Sequence, residues 1–83
     1  SKYAAHDQLV RCFEGLLKAV RDVEWVVRYA AAYGLEQRLN SAAVSAHLAE
    51  QGRAALNQLA SDAEGVRVVQ LRALKALQRL NAG

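Results

Sequence analysis

The chain has 83 residues, a formal net charge of +3, a single cysteine and no proline. A chain this short holds one domain with a small core, and Cys12 alone cannot form an internal disulfide, which favours an intracellular location. The longest apolar runs are far shorter than the roughly 20 residues of a membrane span, and so mild a charge does not by itself indicate a nucleic-acid partner.

The composition favours helices throughout. Ala and Leu are the commonest residues, Arg outnumbers Lys eight to three, and Val is the only β-branched residue. These side chains suit helices better than sheets. The sequence therefore predicts an all-α fold, an antiparallel three-helix bundle in one domain over residues 1–83. Because the sequence contains no methionine, we interpret the chain as a fragment of a larger protein.

The first predicted helix is long. Apolar side chains recur every three or four residues from Leu9 to Val27, which predicts one helix over about 3–33. Gly34 is then the residue that ends it. The alternative is a bundle of four helices, if the first helix breaks near Asp22.

Two shorter helices follow, over about 41–60 and 62–80. The apolar stripe of the second helix begins where the helical phase changes, near Asn40–Ser41, and either residue suits a helix cap. Gly52 inside this helix would allow a kink. Ser61 and Glu64 have the spacing of a capping box at the start of the third helix. Short connections between three helices favour an up-down-up bundle.

Trp25, Tyr29 and Tyr33 lie off the main stripe of the first helix. If both shorter helices pack along the C-terminal two-thirds of the first, these aromatic side chains are flanked by two neighbours. That geometry favours core residues, and the alternative is a secondary aromatic face.

A second apolar excess lies where the first helix overhangs the others. No neighbouring helix would cover Leu9, Val10 and Phe13 there. Val68 and Leu71, near the start of the third helix, would lie at the same end of the bundle. We expect these five side chains to form one exposed patch for self-association or for a protein partner. The alternative is that they simply pack on one another.

The last helix has a basic outer side. Arg67, Arg72, Lys75 and Arg79 lie there without an aromatic residue between them. They would either contact nucleic-acid phosphates or form an ordinary solvated face, and the second interpretation is favoured.

No motif indicates catalysis. The glycines are scattered singly, so there is no phosphate loop, and His47 with Glu50 supplies only half of a zinc site. We therefore expect no catalytic residues, metal or cofactor. The predicted function is a non-catalytic helical protein–protein interaction or oligomerisation module, such as a scaffold or adaptor. A nucleic-acid-binding domain is the alternative, and no membrane partner is expected.

Overall fold

A computed structural model describes the backbone of residues 2–41 and 44–82, and side chains from residue 8 onward. This part of the chain contains four α-helices: α1 Lys2–Ala19, α2 Trp25–Leu39, α3 Ala46–Ala60 and α4 Arg67–Ala82. The predicted all-α class is confirmed. A single helix over 3–33 is wrong, and the alternative with a break near Asp22 is confirmed. None of the described helices is long and apolar enough to cross a membrane.

The break is built by local hydrogen bonds around Asp22. The Asp22 carboxylate accepts a hydrogen bond from the amide of Glu24 at 2.9 Å, and Arg28 Nη1 donates to the carbonyl oxygens of Asp22 at 2.8 Å and Val23 at 3.1 Å. An aspartate that bonds a backbone amide two residues on is a turn-forming arrangement. Val23, which continues the apolar stripe in the sequence, is 90% exposed in this turn.

Consecutive helices form two antiparallel hairpins. In the first, Arg38 Nη2 near the end of α2 lies 3.4 Å from Cys12 Sγ on α1. Cys12 is exposed at this contact. In the second hairpin, Arg53 Nη1 on α3 donates to Asn81 Oδ1 near the end of α4 at 3.1 Å.

The two hairpins stack side by side, so that α2 runs parallel to α4. Arg28 near the start of α2 pairs with Glu64 just before α4, and Glu36 in the last turns of α2 pairs with Arg79 in the last turn of α4. Helix α1 packs on α2 and α3, and in the described part of the chain it does not reach α4. The four helices therefore alternate in direction along the chain, as in the predicted antiparallel bundle but with one more helix. They lie in two layers, α1 with α3 and α2 with α4.

The core lies between the layers. Leu56 and Leu59 on α3 and Val69 and Ala73 on α4 face it, and Leu35 on α2 is fully buried there. Its members are ten buried side chains: Phe13, Ala32, Leu35, Ala55, Leu56, Leu59, Val69, Ala73, Ala76 and Leu80.

Two glycines allow close approach between helices. A Cβ at Gly52 on α3 would lie 2.7 Å from Phe13 Cζ, and a Cβ at Gly34 would lie 2.7 Å from Leu16 Cδ2 on α1. Gly34 lies inside α2 and does not end a helix. At Gly52 the buried Phe13 ring cannot easily move, so glycine is needed there for space. At Gly34 the contact is with the end of the flexible, partly buried Leu16 side chain, which can shift.

The helix starts differ from the predicted caps. Ser45 caps α3 by accepting from the amide of Leu48 at 3.3 Å, and residues 42–43, at the predicted start, lie outside the described residues. The Ser61 hydroxyl accepts from the amide of Ala63. The Glu64 carboxylate accepts from Arg28 and from the amide of Val66, while the Ser61 amide donates to the carbonyl oxygen of Gln58. The capping box is therefore not formed, and α4 begins later, at Arg67.

Candidate functional site

The layer of α2 and α4 carries a shallow groove of about 450 Å³. Because α2 and α4 run parallel, side chains spaced three or four residues apart on each helix line the groove along its length. Helix α2 supplies two tyrosines and α4 supplies two apolar and three basic side chains. They are Tyr29, Tyr33, Val68, Leu71, Arg72, Lys75 and Arg79.

The apolar part of the groove is open to solvent. Tyr33 is 53% exposed and Leu71 is 48% exposed, while Trp25, one turn before Tyr29, is also exposed. The expectation that the aromatic residues of α2 pack in the core is therefore wrong for the described structure. They form an aromatic face, which is the alternative interpretation. Exposed aromatic and aliphatic side chains that line one concavity are typical of a binding surface.

Arg72 lies at the base of the groove. Its Cζ is 5.3 Å from the centre of the Tyr33 ring, and its Nη2 is 2.8 Å from Glu36 Oε1. The Arg72 side chain is only 10% exposed, and its Nη1 has no hydrogen-bond partner among the described groups. A buried, incompletely paired guanidinium contributes positive potential to the groove, because screening by water is weak there.

Glu36 orders the cations around it. Its carboxylate is 3% exposed and lies between Arg72 and Arg79, whose Nη1 is 3.5 Å from Glu36 Oε2. Arg79 is 55% exposed, and Lys75 is exposed with no ion pair in the described part of the chain. Three cations and one carboxylate leave two positive charges at the groove.

A second concavity lies near the turns that precede α2 and α4. Arg28 lines it and donates from Nε and Nη2 to the two Glu64 oxygens at 2.9 and 2.8 Å. This hydrogen bonding, with a further bond from the Val66 amide, lowers the pKa of Glu64. Every Arg28 donor nitrogen is engaged, because Nη1 bonds the α1–α2 turn. The pair holds the two turns together and offers no free group to a ligand.

The five residues of the expected partner patch do not form one surface. Phe13 is fully buried in the core, while Leu9 and Val10 are half-buried on α1. Helix α1 does not reach α4 in the described residues, so these three are separated from Val68 and Leu71. Those last two side chains belong to the groove.

The predicted basic surface also divides. Arg67 Nη1 bonds Gln70 Oε1 at 2.6 Å and does not line the groove, whereas Arg72, Lys75 and Arg79 do. The aromatic residues missing from α4 are supplied by α2. Glu36 was missed altogether, since a charged residue in a helical sequence normally indicates a solvated position.

Comparisons with known proteins identify a relative of the chain. No family model and no solved structure matches the chain. Over 73 residues, or 88% of its length, the chain is 45% identical to the bilin biosynthesis protein RpcF of Synechococcus sp. (strain WH8020), and it spans about a third of that relative, 34%. This finding overturns the expectation of a generic interaction or oligomerisation module, with nucleic-acid binding as its alternative. The name of this relative, a biosynthesis protein, also conflicts weakly with the expectation that the chain is not an enzyme.

Proposed function

We propose that the chain acts in bilin biosynthesis and that its part is to bind a bilin in the groove between α2 and α4. The observation that carries this proposal is the combination of two exposed tyrosines with a rim of cations along one groove. The similarity to RpcF, whose name concerns bilin biosynthesis, supports the choice of ligand.

A bilin has the chemistry that these side chains complement. It is an open-chain tetrapyrrole with a flat, conjugated system of rings and two propionate groups. Tyr29 and Tyr33 offer ring faces and edges to the pyrroles, and Val68 with Leu71 offers aliphatic contact. The propionates are anions, and charge-assisted hydrogen bonds from arginine or lysine are the strong ones in proteins.

The role proposed is to hold and orient the bilin. Arg72 stacks on the Tyr33 ring and forms an ion pair with the buried Glu36. The centre of the groove is therefore ordered before a ligand binds. Side chains that are already ordered lose less freedom on binding, which improves affinity. The same rigidity would fix the ligand's orientation.

Fluorescence titration tests the proposal. Trp25 is the only tryptophan of the chain and begins α2 one turn before Tyr29, so a bound bilin, which absorbs in the near ultraviolet, should quench its emission. Titration of the 83-residue chain with biliverdin should give saturable quenching and a shift of the bilin absorption bands. The absence of saturable quenching would contradict the proposal.

A matched pair of leucines on α4 tests the location. Leu71 lines the groove, whereas Leu74 is exposed on the same helix outside it. Leu71→Gln should weaken biliverdin binding roughly fivefold, because it removes about 1 kcal/mol of apolar contact. Leu74→Gln should leave binding unchanged. Equal effects of the two variants would place the ligand elsewhere.

A further inference from the structure

We infer that Lys75 and Arg79 recognise the two propionates of the bilin and so fix which way round it lies, while Arg72 remains paired with Glu36. This inference rests on the proposed function and concerns the same groove. It assigns separate roles to three cations that the sequence presents as equivalent.

The first step is the charge of the groove. Arg72, Lys75 and Arg79 line it, and Glu36 beneath them neutralises one of the three charges. The remaining two positive charges equal in number the two negative charges of a bilin's propionates. A ligand with two carboxylates would therefore leave the groove neutral.

The second step separates Arg72 from Arg79. Arg72 Nη2 is 2.8 Å from Glu36 Oε1, and the Arg72 side chain is only 10% exposed. Its unpaired Nη1 is buried, so a ligand carboxylate would have to displace covering groups or break the ion pair to reach Arg72. Arg79 is 3.5 Å from Glu36 and more than half exposed. A long, exposed ion pair contributes little, so Arg79 can turn from Glu36 to a ligand carboxylate at small cost. Lys75 has no ion pair to break in the described residues.

The third step is spacing. Lys75 and Arg79 are four residues apart on α4, which places them one above the other on one face, about 6 Å apart along the helix axis. The propionates of a bilin are carried by its two adjacent inner rings, so both can reach neighbouring cations. The inner rings then lie beside Lys75 and Arg79, and an outer ring extends along the groove toward Val68 and Tyr29.

The test compares biliverdin with its dimethyl ester, which keeps the ring system and loses both negative charges. Lys75→Gln and Arg79→Gln should each weaken biliverdin binding roughly fivefold, and the double variant about twentyfold. All three variants should bind the ester as the unmodified chain does. Added salt should weaken the binding of biliverdin more than that of the ester, because it screens exposed charges.

Two residues on α1 provide matched controls. Lys18→Gln and Arg11→Gln each remove one positive charge, of the same residue type as Lys75 and Arg79, from exposed positions on α1. Because α1 does not reach α4 in the described residues, they should leave biliverdin affinity unchanged. Circular dichroism confirms that each variant keeps its helices.

The outcomes separate the inference from the proposed function. If biliverdin and its ester bind the unmodified chain equally tightly, the groove binds bilins but the propionate assignment is wrong. If Lys75→Gln and Arg79→Gln weaken both ligands equally, or if the α1 controls weaken biliverdin as much, the assignment is also wrong. If neither ligand binds, the proposed function fails and the inference fails with it.

Discussion

The close approach of α3 to α1 at Gly52 predicts the effect of adding one methyl group. In a Gly52→Ala variant the new Cβ would lie 2.7 Å from Phe13 Cζ and 3.3 Å from both Leu39 methyl carbons. The Phe13 ring is rigid and fully buried, so it cannot swing into solvent. Overpacking of this kind costs about 1–3 kcal/mol, and the better helix propensity of alanine offsets up to about 1 kcal/mol. We expect a net loss of about 1–2 kcal/mol.

Gly15→Ala is the control for helix propensity alone. Gly15 is exposed within α1, and a Cβ there would meet nothing within 4 Å, so this variant should gain up to about 1 kcal/mol. Urea unfolding followed by circular dichroism measures both variants. A loss of 1 kcal/mol should lower the Tm of so small a domain by about 4–8 °C. If Gly52→Ala proves as stable as the unmodified chain, the close packing of α3 on Phe13 is wrong.

The ion pairs give three further predictions. Glu36→Ala leaves Arg72 buried without its partner and should cost about 3 kcal/mol in urea unfolding; a loss below 1 kcal/mol would contradict the burial of this pair. Arg79→Gln breaks only the long, exposed contact with Glu36 and should cost less than about 1 kcal/mol by the same measurement. The hydrogen bond from Arg28 holds the pKa of Glu64 below its ordinary value of 4.5, so this carboxylate adds stability that is complete above about pH 4.5 and is lost as the pH falls through the lowered pKa. Unfolding measured from pH 7 down to pH 3 should therefore be less acid-sensitive in Glu64→Gln, and an unchanged profile would contradict that role.

The helix pattern of the second half of the chain could be predicted because burial and periodicity agree there. The core is lined at helical spacings of three or four residues, by Leu56 and Leu59 on α3 and by Val69 and Ala73 on α4. The turn at Asp22 could not be placed with the same certainty, because the apolar stripe continues through it. The bonds of Asp22 with Glu24 and Arg28 decide that position locally, and periodicity does not register them.

The same turn explains why the candidate site could be predicted only in pieces. With one straight helix over 3–33, Tyr29 and Tyr33 would lie between two neighbouring helices and be buried. The turn at Asp22 folds α1 back along α2 instead, so that α1 covers one side of α2 and the other side packs along α4. The tyrosines are then left at the rim of that contact, beside Val68 and Leu71. Glu36 lies on the α4 side of α2, where a single buried carboxylate arranges the arginines of the facing helix. The groove therefore depends on the parallel packing of two helices that are not consecutive, and no pattern within either helix encodes that pairing.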